Sequence, residues 1–244
     1  AIEIDPQEES KRYIKQVKNN ITGVVSSHMQ EEVNKQIEAA SMTPGAEEAA
    51  LFDRIVSILL DESHGFDKII FDTAPTGHTI RLLSLPELMS AWIDGLLERR
   101  KKTNDNYSQL LNDGEPMEDP IFQVLQRRRD RFALVREMLL DETTTGYIFT
   151  LNPERLPIIE TKKAIEQLQS FQIKVNTLII NKMLVGDIEG EFWQKRKETE
   201  QIYLNQIDEY FSSKTRIYIP LFHSDINSLQ LLEEFSMKFL NESG

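Results

Sequence analysis

The chain is 244 residues long, 40% apolar and 28% charged, the profile of a soluble globular protein large enough to bury its own core. Its net charge of −12 leaves no basic surplus to displace counterions, which excludes nucleic acid as the main partner and fits a soluble cytoplasmic protein. No apolar run approaches the ~20 residues that cross a bilayer, and with no cysteine these residues form neither disulfides nor thiolate metal sites.

In chain order, Ile2-Glu3-Ile4-Asp5-Pro6 reads as the end of a strand. Thr43-Pro44 followed by Glu47 and Glu48 marks a helix start, because acidic side chains favour the positive end of the aligned peptide dipoles. Leu51, Ile55, Ile58 and Leu59 then recur on one face. Strand-like runs come at Lys68–Phe71, Tyr147–Leu151, Val175–Ile180 and Arg216–Ile219. They lead into helical patterns at Thr79–Leu85, Pro157–Ser170, Phe192–Phe211 and Ile226–Leu240 respectively. Such alternation predicts an α/β fold, a doubly wound and mostly parallel sheet with right-handed crossovers.

From Pro86 to Asp141 there is no strand signal. Helical segments around Glu87–Lys102 and Ile121–Leu140 flank an Asn112-Asp113-Gly114-Glu115-Pro116 loop. Residues 86–141 are therefore expected to be a helical insertion, and residues 1–85 with 142–244 the α/β domain. Two basic clusters fall in the insertion, Arg99-Arg100-Lys101-Lys102 and Arg127-Arg128-Arg129 with Arg131. They read either as a solvated helix face or as a docking surface on an otherwise acidic chain.

The chemistry concentrates in Lys68–Arg81. The apolar run Ile69-Ile70-Phe71 ends in the carboxylate of Asp72, and Thr73-Ala74-Pro75-Thr76-Gly77-His78-Thr79 follows. A strand that delivers an Asp at its C-terminal end is how nucleotide triphosphatases place a carboxylate beside a magnesium-water shell. A lone Asp after three apolar residues is an ordinary turn, but the nine-residue string Phe71–Thr79 is not common. Ligands of open α/β sheets bind beyond the C-terminal strand ends, where Asn152 with Glu154, Asn181 with Lys182, and Pro220 also fall. His28, His64 and His223 show no metal-ligand spacing.

Phe71–Thr79 resembles the signature of the arsenical pump-driving ATPases and the related ATPases that target tail-anchored membrane proteins. Three further segments are similar to the family: Leu151–Thr161, Ile179–Leu184 and Ile219–His223. The resemblance runs from Ile2 to about Leu240 and implies a P-loop NTPase fold with a deviant Walker A loop, binding ATP and magnesium. It implies that Asp72 serves magnesium through water and that Gly77 follows the γ-phosphate. It assigns the adenine to Asn181 and to a closing loop of Pro220, Leu221 and Phe222. His78 has two readings, a general base because imidazole titrates near neutrality, or a backbone-bonding residue of the second switch. The family's water-orienting Asp belongs to the first switch, which favours the second reading.

The family's phosphate loop ends Gly-Lys-Ser/Thr, and none of the 10 glycines here precedes a Lys. In the family an Ile-Asp-Pro like residues 4–6 follows the phosphate-loop strand. The chain therefore reads as the C-terminal part of an ATPase, inactive by itself. The resemblance further implies a homodimer, with the insertion meeting a membrane pump or a membrane-protein client. The zinc-binding Cys pair of the eukaryotic targeting factors and the metalloid thiols of the pumps have no counterpart here. This places a pump-type member ahead of a targeting factor, with a non-catalytic regulatory paralogue as another alternative.

Overall fold

The computed structural model describes residues 1–22, 31, 34, 35, 38, 46–73, 77, 79–86, 89, 93–95, 97, 98, 101, 120–186 and 189–242. They divide into two compact units, Ala1–Leu139 and Leu140–Gly244.

The first unit is helical. Helix α1 spans Pro6–Thr22, α2 spans Ala46–Ser57, and α3 spans Pro120–Leu140 at the end of the unit. The Ile2–Asp5 run is not a strand: residues 1–5 carry no regular structure. Asp5 instead caps α1, its Oδ1 accepting the N–H groups of Gln7 (2.8 Å) and Glu8 (3.2 Å). Pro6 follows at the first helical position, where a missing N–H costs nothing. Helix α2 runs on as one π-helical stretch, Ile58–Glu62, and a 3₁₀ turn, Ser63–Gly65. Residues 79–86 are helical as the pattern predicts.

Phe52 and Val56 of α2, Leu85, Ile93 and Leu97, and Phe132 and Val135 of α3 form the apolar cluster of this unit. Phe52 and Phe132 meet edge to face with centroids 5.3 Å apart, the arrangement that the ring quadrupoles favour.

Arg128, Arg129 and Arg131 of the α3 cluster are engaged in ion pairs, while Arg127 is exposed. Arg128 bonds Asp53 of α2 at 3.1 Å and covers the Tyr13 ring of α1 at 4.7 Å. Arg131 makes two bonds to Asp61, at 3.0 and 2.7 Å, and Arg129 pairs with Asp94 at 2.7 Å. Arg54 of α2 pairs with Glu62 and, at 3.7 Å, with Glu9 of α1. Planar guanidinium forks bridge helices that the apolar cluster has already brought together.

The second unit holds a parallel sheet. Strands β1 (Ile148–Leu151), β2 (Thr177–Met183) and β3 (Thr215–Pro220) lie in the order β1-β2-β3. The register pairs Ile148 with Thr177, Leu151 with Ile180, and Ile179 with Ile217. Parallel neighbours need crossovers, and helices α4 (Arg155–Ser170) and α5 (Glu191–Tyr210) provide them. Helix α6 (Leu229–Glu242) follows β3. On α4, Ile158, Thr161, Ile165 and Leu168 are buried at helical spacing. The helix ends in a Schellman arrangement, with Gln172 at φ 65° and Ile173 N–H reaching Leu168 O at 3.0 Å.

One expected strand is absent. Residues 68–73 have no ladder partner among the described residues, and Ile70 is 90% exposed. A strand exists by pairing its backbone groups, so apolar composition alone does not make 68–71 one. Most of the expected Glu87–Lys102 helix lies outside the described residues, although 93–95, 97 and 98 are helical.

Candidate functional site

The candidate residues fall in both units. In the first, Asp72 is exposed at the end of the unpaired run, and Gly77 is exposed and helical. A Cβ added at Gly77 would meet nothing within 4 Å, so packing within the unit does not dictate glycine there. His78 lies outside the described residues. The helix that follows is anchored to α2 by Arg81, which bonds Glu48 at 3.0 Å.

In the second unit the structure brings most of the expected base-site residues together. Asn181 and Lys182 sit where β2 breaks its register with β3, between the pairs formed by Ile180 and by Met183. Lys182 is left-handed, at φ 59°, and its N–H donates to Asn181 Oδ1 at 2.9 Å. A bulge of this kind bends a strand and re-aims its side chains, and such bulges are over-represented beside active sites. After the bulge the sheet re-forms: Met183 pairs with Pro220, and Leu221 N–H donates to Met183 O at 2.8 Å. Asn181, Pro220 and Leu221 thus share the C-terminal edge of the sheet. Phe222 continues the loop and packs on Phe235 of α6, with centroids 5.5 Å apart.

Helix α5 grips the same edge. Glu200 is buried, and both its oxygens lie 3.1 Å from Leu184 N. Burial pushes the Glu200 carboxyl above its usual range; the Leu184 N–H and the charges of Arg196 and Lys197 oppose that shift. Lys197 Nζ reaches Gly186 O at 2.5 Å, and Arg196 pairs at 2.9 Å with Glu154, just past β1. Gly186, just past β2, and Gly190, which caps α5, have φ of 83° and 100°, a left-handed range that favours glycine. Sequence reasoning misses Glu200, because nothing distinguishes it from the other acidic residues of α5. A groove of about 440 Å³, lined by Arg155, Ile159, Ile202 and Tyr210 among others, shares no residue with this edge.

Taken unit by unit, the candidate side chains have the chemistry that the resemblance implies for them. The half-buried Asn181 offers an amide that can donate and accept against a base edge, and Asp72 offers the hard oxygen that magnesium prefers. Among the described residues no group of three or more His, Asp or Glu side chains could hold a metal, and no helix is long and apolar enough to cross a membrane.

These features define an α/β protein whose candidate base-site residues Asn181, Pro220 and Leu221 gather at the C-terminal edge of a parallel sheet. A model of the family described as anion-transporting ATPase matches residues 1–241. The chain is 31% identical over 239 residues to the putative arsenical pump-driving ATPase 2 of Aquifex aeolicus, covering 98% of this chain and 78% of that protein. It is 29% identical to ATPase GET3 of Candida glabrata, covering 82% of this chain and 58% of that one. With ATPase GET3A of Arabidopsis thaliana the identity is 27%, over 83% and 59% of the two chains. The chain belongs to the anion-transporting ATPase family.

Proposed function

We propose that the protein binds and hydrolyses ATP as the driving subunit of an arsenical or anion pump. The observation that carries this reading is the meeting of the Asn181 bulge with Pro220 and Leu221 at the sheet edge, held by the 2.8 Å bond from Leu221 N–H to Met183 O. Asn181 would face the adenine edge, with Pro220, Leu221 and Phe222 closing over it. Asp72 would orient the water shell of magnesium, Gly77 would follow the γ-phosphate, and His78 would bond backbone in the second switch. Bound ATP supplies the phosphoanhydride, and magnesium neutralises charge on it.

In this reading residues 1–85 and 142–244 belong to one P-loop-type nucleotide domain. Residues 86–141 form the insertion through which switch movement reaches a membrane pump. The protein works in the cytoplasm as a homodimer. The test is calorimetric titration of the intact gene product with ATP and with GTP. Asn181→Ala should lose most of the preference for ATP; an unchanged preference would remove the adenine from this site. Association of the purified protein with a tail-anchored client instead of a pump would favour the targeting reading.

A further inference from the structure

Among the described residues, the bent end of β2 is held by β3 and by α5. On the β3 side, Leu221 N–H bonds Met183 O at 2.8 Å. On the α5 side, one helical turn supplies two grips. Glu200 takes the Leu184 N–H on both oxygens at 3.1 Å, and Lys197 Nζ bonds Gly186 O at 2.5 Å. Residues 183–186 are therefore clamped from both directions immediately beyond the left-handed Lys182.

Glu200 is the buried charged residue of the described chain, at 6% exposure. Taking a carboxylate out of water is costly, and an apolar side chain would fill the same space without that cost. What an apolar side chain cannot do is accept the N–H of Leu184 and so fix the backbone three residues past Asn181. The carboxyl's upward shift is a mark of that cost.

We propose that Glu200 is a positioning residue for base recognition: by holding Leu184 N–H it sets the bend of β2 that aims the Asn181 amide at the adenine edge. This inference rests on the adenine site proposed above. Without the Glu200 contact the Leu184 segment relaxes, and the Asn181 amide no longer meets the pattern that tells adenine from guanine. Phosphate contacts, which do not read the base, are unaffected.

The test compares Kd for ATP and for GTP in the intact gene product carrying Glu200→Ala, Glu200→Gln or Asn181→Ala. Loss of one well-placed hydrogen-bond acceptor corresponds to about tenfold in affinity. Glu200→Ala should therefore weaken ATP binding by about that factor, leave GTP unchanged and collapse the ratio. Glu200→Gln, whose amide oxygen still accepts the N–H, should keep the ratio within about twofold. A folded Glu200→Ala protein with the wild-type ratio overturns the inference, because a purely structural role would not move discrimination. If Asn181→Ala lowers the ratio while Glu200→Ala does not, only the positioning role fails; if neither does, the adenine site fails with it. Should Glu200→Ala not fold, Glu200→Asp, one methylene short of Leu184, carries the test. A collapsed ratio with native melting supports the proposal, and a retained ratio overturns it.

Discussion

In residues 1–139 the arginines of α3 meet carboxylates from other parts of the chain, Arg128 with Asp53 and Arg131 with Asp61. In residues 140–244 the buried carboxylate of Glu200 meets a neutral backbone N–H instead. Paired charges cancel, tolerate partial exposure and tie whole helices together, each contributing little singly. A carboxyl set against an N–H ties down no second side chain, and what it fixes is a short piece of backbone. The first arrangement suits a bundle that must hold its elements; the second suits an edge that must hold a shape.

The sharpest way to test that division is at the two candidate sites. In the intact protein, Asp72→Asn should cut ATP turnover by at least ~100-fold while leaving ATP binding mostly in place, because the carboxylate serves the magnesium shell more than the phosphates. Turnover and Kd measured on one preparation decide it, and near wild-type hydrolysis would remove Asp72 from the active site.

Next in size is the bundle core. Phe132 is fully buried against Phe52, so Phe132→Ala should cost about 3–5 kcal/mol and lower the melting temperature by roughly 10 °C. A drop of only a degree or two would mean that the ion pairs, not the apolar cluster, hold the unit.

A smaller effect separates the ion-paired carboxylates from Glu200 by the sign of their pH response. Arg131 holds the Asp61 carboxyl below its usual range, and Arg54 does the same for Glu62. Their stabilisation is full above the unfolded carboxylate pKa and is lost as pH falls below about 4. Glu200 runs the other way, its pKa raised by burial. The fold favours its protonated form, an advantage present at low pH and lost as pH rises from about 4.5 through the raised value. Glu200→Gln should therefore melt higher than wild type at pH 7.5, with the gap closing towards pH 4.5. A gap that widens on acidification would reverse the assignment.

The smallest expected effect is none. Trivalent arsenic prefers thiolate to imidazole or carboxylate, and residues 1–244 contain no cysteine. With any cysteines elsewhere in the protein replaced, arsenite should leave ATP turnover unchanged, and robust stimulation would call for a site without thiols.

The helices and strands of the second unit were legible because burial there follows period. Ile158, Thr161, Ile165 and Leu168 mark the inner face of α4, and Leu178 and Ile180 alternate on β2. The same logic misread residues 68–71. Ile69-Ile70-Phe71 looks like Leu178-Ile179-Ile180, yet Ile70 is 90% exposed and Ile180 fully buried. The difference is whether neighbours supply a ladder, which no local pattern encodes. The α3 arginines were visible, but their partners stand 75 and 70 residues earlier, at Asp53 and Asp61. At the candidate site, Asn181 and Pro220 stood out by type and position. Glu200 did not, since a carboxylate on a charged helix reads as solvated until the strand beneath it is known.

The bend at Lys182 also bears on kinetics. A non-glycine residue held left-handed costs of order 1 kcal/mol, and the surrounding contacts meet that cost before any ligand arrives. At the adenine site proposed above, an arriving base would find the strand already shaped and would spend little of its binding energy on ordering the backbone. Discrimination between purines then falls on how long each one stays rather than on how fast it arrives.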